Sequence, residues 1–357
     1  MQVWIRRCAL LLLPLGFLAV MVAAPLLSLA FYDGEGAWAE VVADDYMRLR
    51  LGWTVAQAVL TCVLVTALGV PAAWVLARMD FAGRRMVLRL LMLPFVMPTL
   101  VAGMGVLALF GAHGILASGW QDTPWLLIYG NVFFNLPVLV RSAYQGFVRV
   151  PQARLLSAQS LGADAWRRFV WVEWPVVRAW VAGGACLVFL YCFSGFGLAL
   201  LLGGERFATV EVEIYRLVAY ELDMARASVL VWLVLAATAA AGGLYAYWSK
   251  RVAVDKSVSP LPPRAPVRAW EKWLTATVLA MLVLCCLLPL AAVWLKAAAA
   301  GSSWAVLLEA QTWAAAWNTI RFSAAAVAAA TVLGALYAAA ARQMAWLRAL
   351  MFLPFMV

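Results

Sequence analysis

Few residues in this sequence have the types and spacing that catalysis requires. His113 is the only histidine, and no Ser-His-Asp set can be built around its position. The six cysteines lie in or beside apolar runs without a Cys-x-x-Cys pair, which is typical of small apolar side chains and not of disulfides or metal ligands. No Gly-x-x-x-x-Gly-Lys-Ser/Thr loop is present, so the chain should neither bind nor hydrolyse ATP. The sequence therefore predicts a protein without catalytic residues, resident metal or cofactor.

Residues 150–175 combine polar and small side chains in a pattern that suits docking against another protein. Pro151 can occupy the first turn of a helix, and Gly162 interrupts the helical pattern before a second short helix through Trp166. Small residues around the turn, including Ala158, permit a close approach of backbones. We expect this helix-turn-helix to lie parallel to a membrane. It then either docks on a cytoplasmic partner or is an interfacial amphipathic segment without a partner.

The elements that must position this segment are long apolar runs. Of the 357 residues, 66% are hydrophobic and 12% are charged, whereas soluble domains are usually about 45–50% apolar and about 25% charged. A helix needs about 20 mostly apolar residues to cross a bilayer. The sequence therefore predicts an all-α, polytopic integral membrane protein. The predicted spans are 8–31, 53–77, 87–112, 124–148, 178–202, 227–249, 273–295 and 317–341, with a ninth beginning near 344.

Basic residues decide the orientation of these spans. The first span is longer than the apolar core of a secretory signal, so we expect it to be retained, with the N-terminus in the cytoplasm. Most of the 27 Lys and Arg then fall in cytoplasmic segments and most of the 17 Asp and Glu in the opposite ones, as the positive-inside rule requires. The net charge of +10 thus follows from topology, which excludes nucleic-acid binding. We expect a multi-pass protein of a bacterial inner membrane, in contact with lipid.

A proline-rich stretch, 250–269, divides the chain. Its composition predicts an extended, water-exposed cytoplasmic linker between a first six-span unit, 1–249, and a second unit, 270–357. Residues 89–97 read RLLMLPFVM and residues 348–356 read RALMFLPFM, and the features around them share their order, which indicates internal duplication. The chain ends inside the ninth predicted span. We therefore expect a truncated second unit, from a fragment or an interrupted gene; a natural short form and an inert product are the alternatives.

Breaks in the predicted spans mark candidate walls of a transport pathway. Asn135 and Pro137 interrupt the fourth span, and Tyr191, Ser194 and Phe196 surround a glycine-containing break in the fifth. Aromatic faces can hold a cation by cation–π contact, although small residues at such breaks equally suit helix packing. Charged side chains are scarce inside the predicted spans, whereas proton relays in carriers use intramembrane carboxylates. An ATPase-independent secondary transporter or channel is therefore the less favoured class.

The segment at 150–175 resembles the cytoplasmic EAA loop of ABC importer permeases. The residues that correspond to this loop are Leu156, Ser157, Ala158, Ser160, Leu161, Gly162, Ala163 and Pro175. Leu161-Gly162-Ala163 and Pro175 match the family pattern, whereas Leu156 replaces its glutamate, so any salt bridge of that glutamate is lost. The resemblance implies the type I ABC importer permease fold, with six spans per unit. It also implies a loop that docks on an ATPase subunit and transmits nucleotide-driven motion to the helices.

Three further stretches, 131–151, 169–178 and 201–227, narrow the resemblance to thiamine-transport permeases, which are fusions of two six-helix units. Ferric-iron permeases share this layout and related motifs, so ferric iron or another small solute stays open as the cargo. The resemblance implies import of thiamine or its phosphates, with ATP used by a separate cytoplasmic ABC ATPase dimer. Substrate would arrive on a periplasmic binding protein. The acidic loop at 205–223 is then a contact for that protein or a solvated charged loop.

Overall fold

The computed structural model describes residues 16–17, 19–31, 36–116, 119–121, 123–250 and 259–343. Over these residues the chain forms helices and no β-strand. The α-helices are α1 (Ala24–Phe31), α2 (Ala37–Ala43), α3 (Asp45–Arg78), α4 (Arg84–Leu90), α5 (Leu93–Val96), α6 (Thr99–Phe110), α7 (Pro124–Val148), α8 (Gln152–Ser160), α9 (Ala165–Arg168), α10 (Trp174–Phe193), α11 (Phe196–Leu202), α12 (Val210–Arg216), α13 (Met224–Lys250), α14 (Ala269–Leu282), α15 (Leu288–Ala298) and α16 (Ala310–Gln343). Turns of π-helix occupy Ala19–Ala23, Phe169–Glu173, Leu217–Glu221 and Val283–Leu287, and a 3-10 helix occupies Gly301–Leu308.

Among the described residues, six helical segments are long and apolar enough to cross a membrane. They are Asp45–Arg78, Pro124–Val148, Ala165–Phe193, Met224–Trp248, Ala269–Ala298 and Ala310–Ala339. The predicted span 124–148 has the same limits as α7, whereas the predicted first span, 8–31, lies partly outside the described residues and the ninth lies wholly outside them. The prediction of a multi-pass all-α membrane protein is confirmed.

The predicted span 87–112 is broken. Its two parts, Arg84–Val96 and Thr99–Phe110, meet at an angle of 102°. The break lies at Met97, whose ψ of 149° is extended. A residue that precedes a proline is pushed out of the α region, and Pro98 follows Met97. Pro98 therefore turns this segment sharply.

The predicted span 178–202 is wrong in its limits. The observed helix runs from Ala165 to Phe193, and the chain breaks at Ser194 and Gly195 before α11 begins. Ser194 Oγ donates to Leu190 O at 2.7 Å, which closes the last turn of α10. A Cβ added to Gly195 would lie 2.6 Å from Tyr191 O, so only glycine fits directly after that turn.

Two compact units are present, and one of them, here called the bundle, comprises residues 39–222 and 230–296. Within the bundle, α3 packs against α7, and α10 packs against both. Glycines lie at the contacts: a Cβ added to Gly69 of α3 would lie 2.9 Å from Leu139 Cδ2, and one on Gly184 of α10 would lie 2.9 Å from Ser142 Cβ. Small residues at these positions let the helix backbones approach closely, as is common in membrane helix pairs.

The described part of the other compact unit comprises residues 16–17, 19–31, 36–38, 223–229 and 297–343. Its longest described element is α16, most of whose side chains are exposed. Trp313 Nε1 donates to Leu307 O at 2.9 Å and so ties the start of α16 to the preceding 3-10 helix.

Candidate coupling site

The segment expected to couple to an ATPase, residues 150–175 and here called the coupling loop, folds around a helix-ending turn at Gly162. Gly162 has a φ of +80°. Ala163 N donates to Ala158 O at 3.0 Å, and Gly162 N donates to Gln159 O at 3.0 Å. This pair of bonds is the Schellman motif, in which a left-handed residue ends the helix and satisfies its last carbonyls. The turn predicted at Gly162 is therefore present, and it fixes where α9 begins.

Position 162 requires glycine because of its left-handed backbone conformation and not because a side chain would clash with neighbouring atoms. A Cβ added to this glycine would meet no atom within 4 Å. The close backbone approach expected at this turn is therefore not seen among the described residues. A left-handed backbone disfavours residues with a Cβ, because the Cβ crowds the following carbonyl oxygen.

The coupling loop presents apolar side chains to its surroundings. Leu155 is buried and anchors α8, whereas Leu156 is 47% exposed, Leu161 is 87% exposed and Trp166 is 71% exposed. Large exposed apolar side chains clustered on one surface mark protein or membrane contacts. The polar members of the loop are also at the surface: Ser157 and Ser160 are exposed, and Ser160 Oγ donates to Leu156 O at 3.1 Å.

The sequence predicts that the second helix of the loop ends at Trp166, and this is wrong. Asp164 caps α9 by accepting a hydrogen bond from Arg167 N at 2.7 Å. From there α9 continues through the π-helical turn into α10, so that the span begins at Ala165. Pro175 lies in the first turn of α10. The coupling loop is thus directly continuous with a membrane helix.

A buried ion pair lies at the base of the loop. Arg78 Nε donates to Glu173 Oε1 at 2.8 Å, and Trp74 Nε1 donates to Glu173 Oε2 at 2.9 Å. Arg78 Nη2 also donates to Phe147 O at 3.1 Å. Both charged side chains are 6% exposed. Since a buried charge needs a partner and hydrogen bonds, this arrangement holds α3, the end of α7 and the π-helical turn together.

Residues 259–268 of the linker lie against the coupling loop and the end of α3. Gln152 N donates to Ser259 O at 3.2 Å, at the start of α8. Arg264 N donates to Arg78 O at 3.0 Å, and Asp80 N donates to Arg264 O at 2.8 Å. These residues follow an extended path with main-chain bonds to two loops of the bundle. Residues 251–258 lie outside the described part of the chain.

A second polar cluster lies inside the bundle, between α3, α7 and α10. Asn131 Nδ2 donates to Gln57 Oε1 at 2.7 Å, and Gln57 Nε2 donates to Cys192 O at 2.9 Å. Asn135 Nδ2 donates to Asn131 O at 3.0 Å and contacts Cys192 Sγ at 3.4 Å. Asn135 Oδ1 is buried and has no hydrogen-bond partner among the described residues. These groups join three membrane helices by side-chain hydrogen bonds.

The residues predicted to line a pathway fall into two groups. Asn135 and Pro137 are buried in α7. Tyr191 and Phe196 are 43% and 37% exposed, and Ser194 is exposed between them at the break. The structure therefore does not bring all five side chains to one surface.

Two features of the site were missed by sequence reasoning. The first is Gln57, which lies in α3 with Thr54 and Thr61, three and four residues away on one helix face. Polar residues repeating at that spacing in an apolar run indicate a buried polar seam. The second is the pair between Arg78 and Glu173, for which the sequence carries no local signal because the two residues are distant in the chain.

Curated bacterial permeases are similar to this chain. The thiamine transport system permease protein ThiP of Salmonella typhimurium is 32% identical over 321 residues, which cover 87% of this chain and 58% of that protein. ThiP of Brucella abortus is 35% identical over 239 residues, which cover 63% of this chain and 44% of that protein. The chain therefore spans about half the length of the curated relatives it matches.

Solved structures share the fold. The crystal structure of a bacterial alginate ABC transporter in complex with an alginate pentasaccharide-bound periplasmic protein aligns with a TM-score of 0.58 at 15% identity, over 70% of this chain and 95% of that chain. The predicted fold, the helix bundle of a type I ABC importer permease, is confirmed. The family model described as "binding-protein-dependent transport system inner membrane component" matches residues 67–254, just over half of the chain. This chain therefore belongs to the family of binding-protein-dependent transport system inner membrane components, as a multi-pass membrane protein.

Proposed function

We propose that this chain is the permease of an ABC importer that carries thiamine or its phosphates into the cytoplasm. The similarity to thiamine permeases over 87% of the chain favours that cargo. The observation that carries the importer function is the exposed turn at Gly162, with Leu161 and Trp166 beside it. A surface of this kind fits the groove of a partner. The energy comes from a separate ATPase dimer, because the sequence has no phosphate-binding loop of its own.

Motion of the ATPase would reach the membrane through α9. Because α9 runs without a break into α10, a displacement of the exposed turn moves a complete membrane helix. The buried pair of Arg78 and Glu173 links that helix to α3 at the same level. Polar side chains between α3, α7 and α10 then keep the three helices together as they move.

In this proposal the N-terminus and the coupling loop lie in the cytoplasm, and the acidic loop at 205–223 faces the periplasmic binding protein. Hydrogen bonds from side chains of α3 hold that loop in place. Arg50 donates to the carbonyl oxygens of Glu205 and Arg206, each at 2.7 Å, and Tyr46 Oη donates to Glu213 at 3.0 Å. A loop held by such bonds offers a binding protein a pre-organised surface.

Aromatic side chains in and beside this loop suit an organic cation. The ring of Phe196 lies 5.4 Å from that of Tyr215, which in turn lies 5.7 Å from that of Tyr220. Tyr215 and Tyr220 are 40% and 72% exposed. Thiamine is a cation with aromatic rings, so it can stack on these faces or contact them by cation–π interaction.

Uptake of labelled thiamine tests this function. Cells with and without the gene are compared at nanomolar thiamine, with strains that lack the partner ATPase gene and with labelled ferric iron as a second substrate. We expect thiamine uptake to be lost on deletion of either gene, while iron uptake is unchanged. Thiamine uptake that survives loss of the ATPase would instead identify a secondary transporter. Loss of iron uptake alone would identify an iron permease.

A further inference from the structure

A cavity of about 610 Å³ lies at the base of the coupling loop. Its walls are formed by α8 and α9, by the linker between residues 261 and 268, and by the ends of α3 and α14 that face them. Small-molecule sites usually occupy about 300–1,000 Å³. The cavity is therefore large enough for a metabolite, and it lies directly behind the loop that the proposed ATPase would contact.

Four arginines and three carboxylates line this cavity. The charged residues that line it are Arg78, Arg168, Arg264, Arg268, Asp164, Glu173 and Glu271. Glu173 Oε1 forms an ion pair with Arg78 Nε at 2.8 Å, and Glu271 Oε1 forms one with Arg264 Nη2 at 2.6 Å. Asp164 Oδ1 accepts a hydrogen bond from Arg167 N and so caps α9.

Two arginines of the lining have no carboxylate partner within the described part of the chain. Arg168 Nη1 donates only to the amide oxygen of Gln159, at 3.2 Å, and Arg268 makes no side-chain ion pair there. Arg168 belongs to α9 and Arg268 to the linker, so two arginines without a carboxylate partner come from different walls.

A third donor is also unsatisfied. The side chain of Arg78 is 6% exposed, and its Nη1 has no hydrogen-bond partner among the described residues, whereas Nε and Nη2 are both bonded. A buried donor left without an acceptor is costly, more so on a charged group. Because Nη1 is itself fully buried, a ligand in the cavity would bond to Arg168 and Arg268, and Arg78 adds its positive charge to the wall.

We propose that this cavity binds a diphosphate group from the cytoplasm, free or as part of a phosphate ester. Guanidinium groups match phosphate oxygens through paired hydrogen bonds. A diphosphate offers oxygens at both ends and can engage Arg168 and Arg268 at once. Bound ligand then ties the linker to the coupling loop, the element that the proposed ATPase would move. This inference does not depend on the cargo, so it stands or falls separately from thiamine transport.

Binding is measured on the full chain in nanodiscs of zwitterionic lipid, without the ATPase, by titration calorimetry. Inorganic diphosphate, ADP and thiamine diphosphate are the probes, with unphosphorylated thiamine as the control. We expect saturable binding of at least inorganic diphosphate and none of thiamine. Preference for one ester identifies the source of the group. If an anionic phospholipid added to the nanodiscs competed with diphosphate for binding, a lipid headgroup would be the source of the phosphate.

Matched variants locate the site. The double variant Arg168→Gln/Arg268→Gln should weaken diphosphate binding by on the order of tenfold for each arginine removed. Arg167→Gln removes one positive charge from a neighbouring position that is exposed and does not line the cavity, so it is the matched control for Arg168→Gln alone. It should change the affinity less than about twofold. Equal weakening by Arg167→Gln and Arg168→Gln would show nonspecific surface attraction and overturn the proposal, as would an absence of saturable binding.

A measurement on the unmodified chain is independent of the variants. The amides of Asp80 and Arg264 form the main-chain bonds between the linker and the end of α3. If diphosphate bridges the walls of the cavity, hydrogen exchange at these amides should slow when it is added. Unchanged exchange at saturating diphosphate would contradict binding at this place.

Discussion

Replacing Gly162 by alanine isolates the role of the coupling turn. The added Cβ meets no atom within 4 Å, so the change introduces no clash. Its effect comes from the φ of +80° alone, at which a residue with a Cβ costs about 1–2 kcal/mol. That free energy corresponds to a change of roughly 5- to 30-fold in the ratio of native to non-native turn. Asparagine tolerates this conformation better than alanine, so Gly162→Asn should be affected less.

The assay is substrate-stimulated ATP hydrolysis and uptake in proteoliposomes that contain the full chain, the ATPase and the binding protein. If the ATPase recognises the native turn, Gly162→Ala should lower both rates, by at most about 5- to 30-fold. Gly83→Ala is the matched control, because Gly83 has a φ of +84° and no atom within 4 Å of an added Cβ. Thermal unfolding should shift by a similar amount in both variants.

Three results would refute this reasoning. If Gly83→Ala uncoupled transport as strongly as Gly162→Ala, loss of stability alone would explain the effect. Equal rates for Gly162→Asn and Gly162→Ala would show that backbone conformation is not the cause. Full coupling in Gly162→Ala would mean that the turn is not what the ATPase contacts.

Three further predictions concern the bundle, each measured by thermal unfolding of the purified protein. Gly69→Ala should destabilise by about 1–3 kcal/mol because its Cβ lies 2.9 Å from a leucine methyl of α7, whereas Gly52→Ala in the same helix meets nothing and should stabilise slightly; a loss for both would point to a general intolerance of α3. Glu173→Ala leaves Arg78 buried without its carboxylate and should cost about 3–5 kcal/mol, so an unchanged midpoint would mean that the pair is solvated. Burial raises the pKa of Glu211, so the native state holds the proton more tightly than the unfolded state and stability falls as pH rises above the unfolded value of about 4.3. Glu211→Gln should therefore raise the melting temperature at neutral pH and leave it unchanged at pH 3, and the reverse pattern would contradict the burial.

The sequence is sufficient for elements whose limits are set locally. The limits of α7 were predicted as observed because Pro124 suits the first turn of a helix and the basic residue Arg149 follows the apolar run. The turn at Gly162 was also predictable, because glycine is the residue that a left-handed helix end requires.

Features that depend on contacts between distant segments could not be predicted in the same way. The span from Ala165 was missed because Arg167, Arg168 and Glu173 made its first turns look too polar, and only the partner of Glu173, Arg78, shows how that charge is accommodated. The contact of the linker with the coupling loop is likewise tertiary, since it consists of main-chain bonds that no side-chain pattern specifies.

Photo-crosslinking from the coupling loop tests the central claim most directly. A photoreactive residue replaces Leu161 or, as the control, Leu308, which lies outside the loop and has the same 87% exposure. Each variant is irradiated in membranes that contain the partner ATPase. We predict a covalent adduct with the ATPase from position 161 and none from position 308. No adduct from position 161, or equal adducts from both positions, would contradict a docking role for this loop.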